Sequence, residues 1–175
     1  MPLQIDESHI EARLNLVREH VRCENRHDLD GIMQTFGATA EYHDLPWSQH
    51  FPGRDGVQSY YAQLLEGVPD LLIDVQRWHA GRDTVVLEVV IRGTHQASWR
   101  GLPATGRKLS IPLCGVFTFD EEDRLTSETI YYDRATVLRQ LGVFHEPDLP
   151  LGKLLTVLTH PVTMARALAM KLRRT

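Results

Sequence analysis

At 175 residues, with 42% apolar and 24% charged residues, the chain has the make-up of one ordinary globular domain with a full-sized core and a short appendage. A net charge of −4 gives the molecule no bias toward nucleic acid, and no apolar run approaches the ~18 residues of a membrane span. Two cysteines, Cys23 and Cys114, lie far apart with no CxxC, which argues against structural zinc and does not favour a disulfide. The opening Met-Pro-Leu-Gln-Ile-Asp shows no export signal, so the expected address is cytoplasmic.

Residues 6 to 27 read as a helix. Asp6 or Ser8 caps its start, Ile10, Leu14, Val17 and Val21 form one apolar stripe, and Arg13, Arg18, Glu19 and Arg22 suit the wet face. A short helix follows over Asp28 to Phe36, with Gly37 as its stop. Ala38 to Leu45 alternates as a strand: Thr39, Glu41 and His43 share one face, Tyr42 and Asp44 the other, and Pro46 ends it. Residues 46 to 56, with two prolines, two glycines, Trp47, His50 and Phe51, carry loop chemistry; such a loop is pinned to the core or covers a cavity. Asp55 to Glu66 is a third helix, burying Val57, Tyr60, Tyr61, Leu64 and Leu65.

Four strand signals follow, over Leu71–Trp78, Thr84–Trp99, Lys108–Phe119 and Leu125–Tyr132, separated by turn residues and by no helix. That spacing predicts an antiparallel meander and argues against a parallel sheet. The fold class is therefore α+β: a curved, mostly antiparallel sheet forming a cone, covered by N-terminal helices, with an open end suited to a small molecule. The expected division is 1–145 for this domain and 146–175 for a helical extension. After Asp148 the extension has no acid, and Lys153, Arg166, Lys171, Arg173 and Arg174 make it basic. Its apolar stripes suit docking on the domain, a second subunit or an anionic surface.

The chemistry centres on Ile130 to Gly142, a strand running into a helical turn. Thr129, Tyr131 and Asp133 alternate onto one face. If that face is inner, Asp133 is a carboxylate in an aromatic wall, costly to ionise and suited to acid/base work; the alternative is that it caps the helix starting at Arg134. His95 falls on the apolar face of the long strand with Val89, Ile91, Gly93 and Trp99, either as a hydrogen-bonded core residue or as a donor to substrate. Trp99 is a pocket wall or plain core. Of His43 and Asp44 only one can enter the cavity. Tyr42 and Trp47 complete the candidate binding residues beside Tyr131, Thr129, Trp99 and His43. His43, His79 and His95 show no metal-ligand spacing, and no HxxxH, phosphate loop or GxSxG occurs, so no metal site is expected.

The segments Tyr42-His43-Asp44-Leu45-Pro46, Gly93-Thr94-His95, Gly101 to Arg107, Phe117-Thr118-Phe119-Asp120, Tyr131-Tyr132-Asp133-Arg134 and Leu138-Arg139-Gln140-Leu141-Gly142 closely resemble the SnoaL-like polyketide cyclases, also called ester cyclases, of the nuclear transport factor two-like superfamily. The resemblance covers roughly residues 8 to 144. It implies a cone fold, a homodimer, a small polyketide-like ligand, and ring closure by intramolecular aldol condensation with no metal or redox cofactor. It also implies an aspartate acid/base, for which Asp133 is the match. The sequence departs from the family pattern at Thr129, where relatives commonly carry tryptophan, at Asp123, where a hairpin glycine is common, and at Gly115, where relatives often project a polar side chain. The superfamily also holds isomerases, dehydratases, epoxide hydrolases and members with no catalysis, so a non-catalytic carrier of a small hydrophobic ligand, or a scaffold whose cone is filled by its own side chains, is the competing reading.

Overall fold

The computed structural model describes residues 7–172; the cap expected at Asp6 and the basic Arg173 and Arg174 lie outside them. The chain divides into one compact unit running to Leu141 and a second from Gly142. In the first, helices α1 (Glu7–Arg26) and α2 (Leu29–Thr35) lead into strand β1 (Phe36–Asp44), a 3-10 turn (Leu45–Trp47) and strand β2 (Gln49–Pro52). Helix α3 (Gly53–Gly67) follows, then β3 (Leu72–Ala80), β4 (Thr84–Thr94), β5 (Lys108–Phe119), β6 (Leu125–Tyr132) and the short α4 (Arg134–Gln140). The second unit holds α5 (Pro150–Thr159) and α6 (Pro161–Leu172), whose apolar residues, Leu151, Leu154, Leu158 and Leu168 among them, are exposed.

The strands form one sheet in the order β2-β1-β6-β5-β4-β3. β3 to β6 make the expected antiparallel meander, while β1 enters beside β6 in parallel. Bulges in β1, β3 and the β5–β6 pair bend the sheet. Its concave face packs on α1 and α3 through Val17, Val21, Val57, Tyr60, Tyr61, Leu87 and Val89, all buried. Each aliphatic side chain buried this way contributes roughly 1.5–3 kcal/mol.

Three of the differences from the sequence pattern have a clear physical reason. α2 stops at Thr35 and Phe36 is already extended, so Gly37 lies within the strand rather than ending the helix. Residues 49 to 52 are not loop but a second strand, because Ser48 adopts a left-handed backbone (φ 52°) that closes a hairpin back onto β1. β4 ends at Thr94, not Trp99: the amides of Gln96 and Ala97 turn away to bond the carbonyl of Gly67 at the C-terminus of α3, where helix carbonyls lack partners. Asp123 does take the glycine-like turn conformation, at φ 58°.

The junction at the end of β4 is tight. A Cβ on Gly93 would lie 2.3 Å from Cγ1 of the buried Val68 and 3.4 Å from the Leu71 backbone. Gly93→Ala is expected to lower stability by about 1–3 kcal/mol in urea denaturation through overpacking, whereas Gly81→Ala, whose nearest neighbour is 3.6 Å away, should change it little.

Candidate active site

Which side chains enter the cone is decided by the phase of β6. Leu125 is buried, and strict alternation from it would send Ser127, Thr129, Tyr131 and Asp133 inward. The ladder shows otherwise. Thr118 pairs with Ser127 but Phe119 pairs with Leu125, so Thr126 is an extra residue on β6. One inserted residue flips every side chain beyond it to the other face. Glu128, Ile130 and Tyr132 therefore point inward, and Thr129 and Tyr131 outward, with Tyr131 49% exposed.

Asp133 is consequently outside the cone. Its side chain is 59% exposed and caps α4, accepting from the amides of Ala135 (2.9 Å) and Thr136 (3.1 Å), the Thr136 hydroxyl and Arg139. Those donors hold its carboxyl below the usual range, the Thr136 hydroxyl most. An acid/base with a raised pKa is the opposite of what this environment provides. The expectation of a buried, costly Asp133 is overturned, and the capping alternative describes its position.

Glu128 occupies the interior place. The Tyr61 hydroxyl donates to its Oε2 at 2.5 Å. His20 lies between Tyr61 (Nε2 to Oη, 2.9 Å) and Thr35 (Nδ1 to Oγ1, 2.8 Å). The proton inventory assigns the charges. Thr35 spends its hydroxyl proton on the carbonyl of Ile32, at 2.6 Å, and so accepts from His20 Nδ1. Tyr61 spends its proton on Glu128 and so accepts from His20 Nε2. Both ring nitrogens then carry hydrogen and His20 is an imidazolium. Burial alone would lower its pKa; the carboxyls of Glu24 and Glu128 outweigh that and raise it.

Glu24 completes the group, with Oε1 3.8 Å from His20 Nε2. Burial, and then the nearby Glu128, push its pKa up to about 8 against the pull of His20. The arrangement is an imidazolium that reaches the Glu128 carboxyl through Tyr61, beside a Glu24 held protonated at neutral pH. The buried cation is thereby partnered, as a buried polar cluster requires.

A second polar group lies at Asp44, fully buried at the end of β1. Its carboxylate is paired with Arg100 and accepts from Tyr132 Oη at 3.2 Å. Burial raises the Asp44 carboxyl and Arg100 pulls it back only in part. The Arg100 guanidinium lies over Trp47 and Trp99, 5.3 Å from each ring centre. Among the described residues, Arg100 Nε and His95 Nε2 are buried with no hydrogen-bond partner. His95 bonds Thr105 Oγ1 through Nδ1 at 3.0 Å, and burial lowers its pKa, favouring the neutral ring.

Two cavities of about 30 Å³ each lie along the concave face. Each has room for about one water or two. The first reaches Glu24, Glu128 and Tyr42; the second reaches Trp99 and Tyr132; Tyr60, Leu64, Ile91, Leu113 and Ile130 wall both. The open, roomy cone expected from sequence is thus narrowed by its own side chains, chiefly Tyr60, which stacks on Tyr42 at 3.7 Å.

Of the residues read from sequence as site candidates, Tyr42 and Trp99 line these cavities and His95 is buried against Trp99. Trp47 sits under Arg100 at the Asp44 group. His43, Thr129 and Tyr131 lie on the outer face of the sheet, opposite to the expected placement for binding inside the cone. Sequence reasoning missed His20, Glu24, Glu128 and Arg100. For the first two a signal existed: with Val17 and Val21 they occupy spacing i, i+3, i+4, i+7 on the buried stripe of α1. Among the described residues, two groups of His and Glu have metal-ligand spacing, the interior His20, Glu24 and Glu128 and the outer Glu41, His43 and His50; both ring nitrogens of His20 are already spent as donors.

A curved sheet closed by helices around buried ionisable side chains is the nuclear transport factor two-like, ketosteroid-isomerase-like fold. Within that fold the chain belongs to the SnoaL-like polyketide cyclase family, whose model matches residues 14–141. Among solved structures it is similar to AclR, a proposed hydroxylase of Streptomyces galilaeus, with a TM-score of 0.68, 23% identity, and coverage of 78% of this chain and 99% of that one. A proposed SnoaL-like polyketide cyclase of Jannaschia Sp. CCS1 gives a TM-score of 0.68 at 19% identity, covering 83% and 99%. SalBIII, an epoxide hydrolase/cyclase-like enzyme of pyran ring formation in the polyether salinomycin, gives 0.63 at 20%, covering 76% and 97%. At these identities the likeness establishes the fold. No curated protein matches the chain in sequence.

Two stability measurements check the placement of charge. Asp133 has a depressed folded pKa, so its contribution is present above its ordinary value of 3.8 and lost as pH falls through the lower folded value. Asp133→Ala should lower the melting temperature at pH 7, and the gap from the unaltered protein should close in acid below 3.8. Glu24 has a raised folded pKa, so its contribution is full below 4.5 and lost as pH rises toward about 8. Glu24→Gln should flatten the loss of stability between those values and leave the variant relatively more stable at pH 8 than at pH 5.

Proposed function

We propose that the protein is a cyclase- or isomerase-type enzyme that moves protons on a small, apolar, oxygenated molecule inside the cone, with Glu128 as base and Glu24 as acid. The observation that carries this reading is a pair of carboxyl groups facing one apolar cavity, Glu24 held protonated by burial, with Tyr61 and His20 between them. A carboxylic acid kept neutral at pH 7 beside a second carboxyl is a pairing suited to acid/base work. No metal or redox cofactor enters the proposed steps.

In an aldol closure, Glu128 takes a proton from the carbon beside one carbonyl. The enolate carbon so formed attacks the second carbonyl, forming the ring C–C bond, and the oxygen that becomes an alkoxide takes its proton from Glu24. Glu128 is then protonated and Glu24 ionised. The starting state is restored when His20 passes its Nε2 proton across 3.8 Å to the ionised Glu24 and takes one from Tyr61, which takes its own from Glu128. An isomerisation uses the same two groups on one enolate. Substrate enters by displacing Tyr60 and Leu64, which wall both cavities. On this reading Tyr132, which lines the second cavity, holds a substrate oxygen away from the reacting carbon.

The ligand is then polyketide-like in class, and the working unit a homodimer in the cytoplasm. The partly exposed Val86, Val90 and Val116 on the outer sheet face support the dimer. A non-catalytic carrier is favoured by one observation, the almost wholly apolar lining of the second cavity. One experiment separates the two. A panel of small diketones and keto esters is followed by NMR for product and for binding. Turnover should fall about 10²–10⁴-fold in Glu128→Gln and Glu24→Gln and persist in Asp133→Ala. Full turnover in Glu128→Gln would remove it as the base, and ligand binding without product in the unaltered protein would favour the carrier.

A further inference from the structure

The outer face of the β1–β2 hairpin carries three ligand-type side chains that the interior chemistry leaves unused. His43 and His50 are cross-strand partners in register, and Glu41 precedes His43 by two residues and so shares its face. Glu41 Oε2 lies 3.1 Å from His43 Nε2 and 3.4 Å from His50 Nε2. The two imidazoles are parallel within 2°, their centres 4.5 Å apart. All three donor atoms fall within 4.8 Å of one another. Ligands at the ~2.0–2.1 Å bond lengths of zinc stand about 3.4 Å apart at the corners of a tetrahedron; the two Glu41–His pairs have about that spacing, the third pair lies within 4.8 Å, and a turn of one stacked ring brings both Nε2 lone pairs onto one ion.

We propose that Glu41, His43 and His50 form a surface site for a divalent transition-metal ion of the zinc type, with one coordination position open to solvent. Two imidazoles and a carboxylate suit such an ion and discriminate against magnesium, which prefers an all-oxygen octahedron. The ion would clasp β1 to β2 on either side of the 3-10 turn Leu45–Trp47. That turn follows Asp44 and contains Trp47, the residues that hold Arg100 inside. A clasp on the outside therefore steadies the interior Asp44–Arg100 pair without touching it. The interior group of His20, Glu24 and Glu128 competes for the role of zinc site only if His20 gives up a proton.

The test is zinc titration of the untagged, metal-free full chain, by calorimetry and by thermal melting. One Zn²⁺ per chain and a raised melting temperature are expected. Affinity should fall about tenfold or more in His50→Gln and in His43→Gln, with the melting shift lost, while Glu128→Gln binds as before and Mg²⁺ gives no shift. Circular dichroism confirms that the histidine variants fold; His50, at 48% exposure on a short edge strand, is the safer of the two. Absence of zinc binding at millimolar concentration, unchanged affinity in both histidine variants, or loss of binding in Glu128→Gln would each overturn the proposal.

Discussion

The interior depends on one hydrogen-bonded charge pair. Glu128 is an acid on a strand at the middle of the sheet, among Ile130, Tyr42 and Phe117, where an unpaired carboxylate would cost several kcal/mol. Tyr61 from α3 and His20 from α1 answer it, so the two helices that close the cone are tied to the sheet by the same proton chain. The tie fixes helix position and leaves Glu24 as the group that stays protonated. Packing and the protonation of Glu24 are here two consequences of the same arrangement.

Much of the architecture was legible beforehand. The β3–β6 meander follows from turn residues spaced between alternating runs, and β5 and β6 fall where the pattern places them. The helix faces follow from apolar spacing, as Val57, Tyr60 and Tyr61 show. The family motifs pointed to the same cone. The site was less legible, and its central error has one cause. Alternation counted from Leu125 selects Thr129, Tyr131 and Asp133, and the extra residue Thr126 reverses that choice. A bulge of this kind leaves no mark in composition, because Ser, Thr and Glu flank it on both faces.

The remaining misses share a pattern. His20 and Glu24 sit within an apolar stripe and look like surface residues until the stripe is followed through them. Arg100 lies in a stretch read as strand and turn, and only the pull of Gly67's carbonyl on Gln96 and Ala97 carries it back over Trp47. In each case a polar side chain was drawn into the core by a partner distant in sequence: Glu128 for the helix residues, Asp44 for the arginine. Local patterns report apolar burial well and report such long-range pairing poorly.

Tyr60 walls both narrow cavities and so stands between the two polar ends of the cone. The measurement that tests the account most directly is a pH titration of the side-chain carboxyl carbons in the glutamate-labelled protein by NMR, with Glu24 assigned from its Gln variant. The account predicts that Glu24 titrates near 8 and that its curve shifts when Glu128 is replaced. A Glu24 signal that titrates at the ordinary 4.5, indifferent to Glu128, would contradict it.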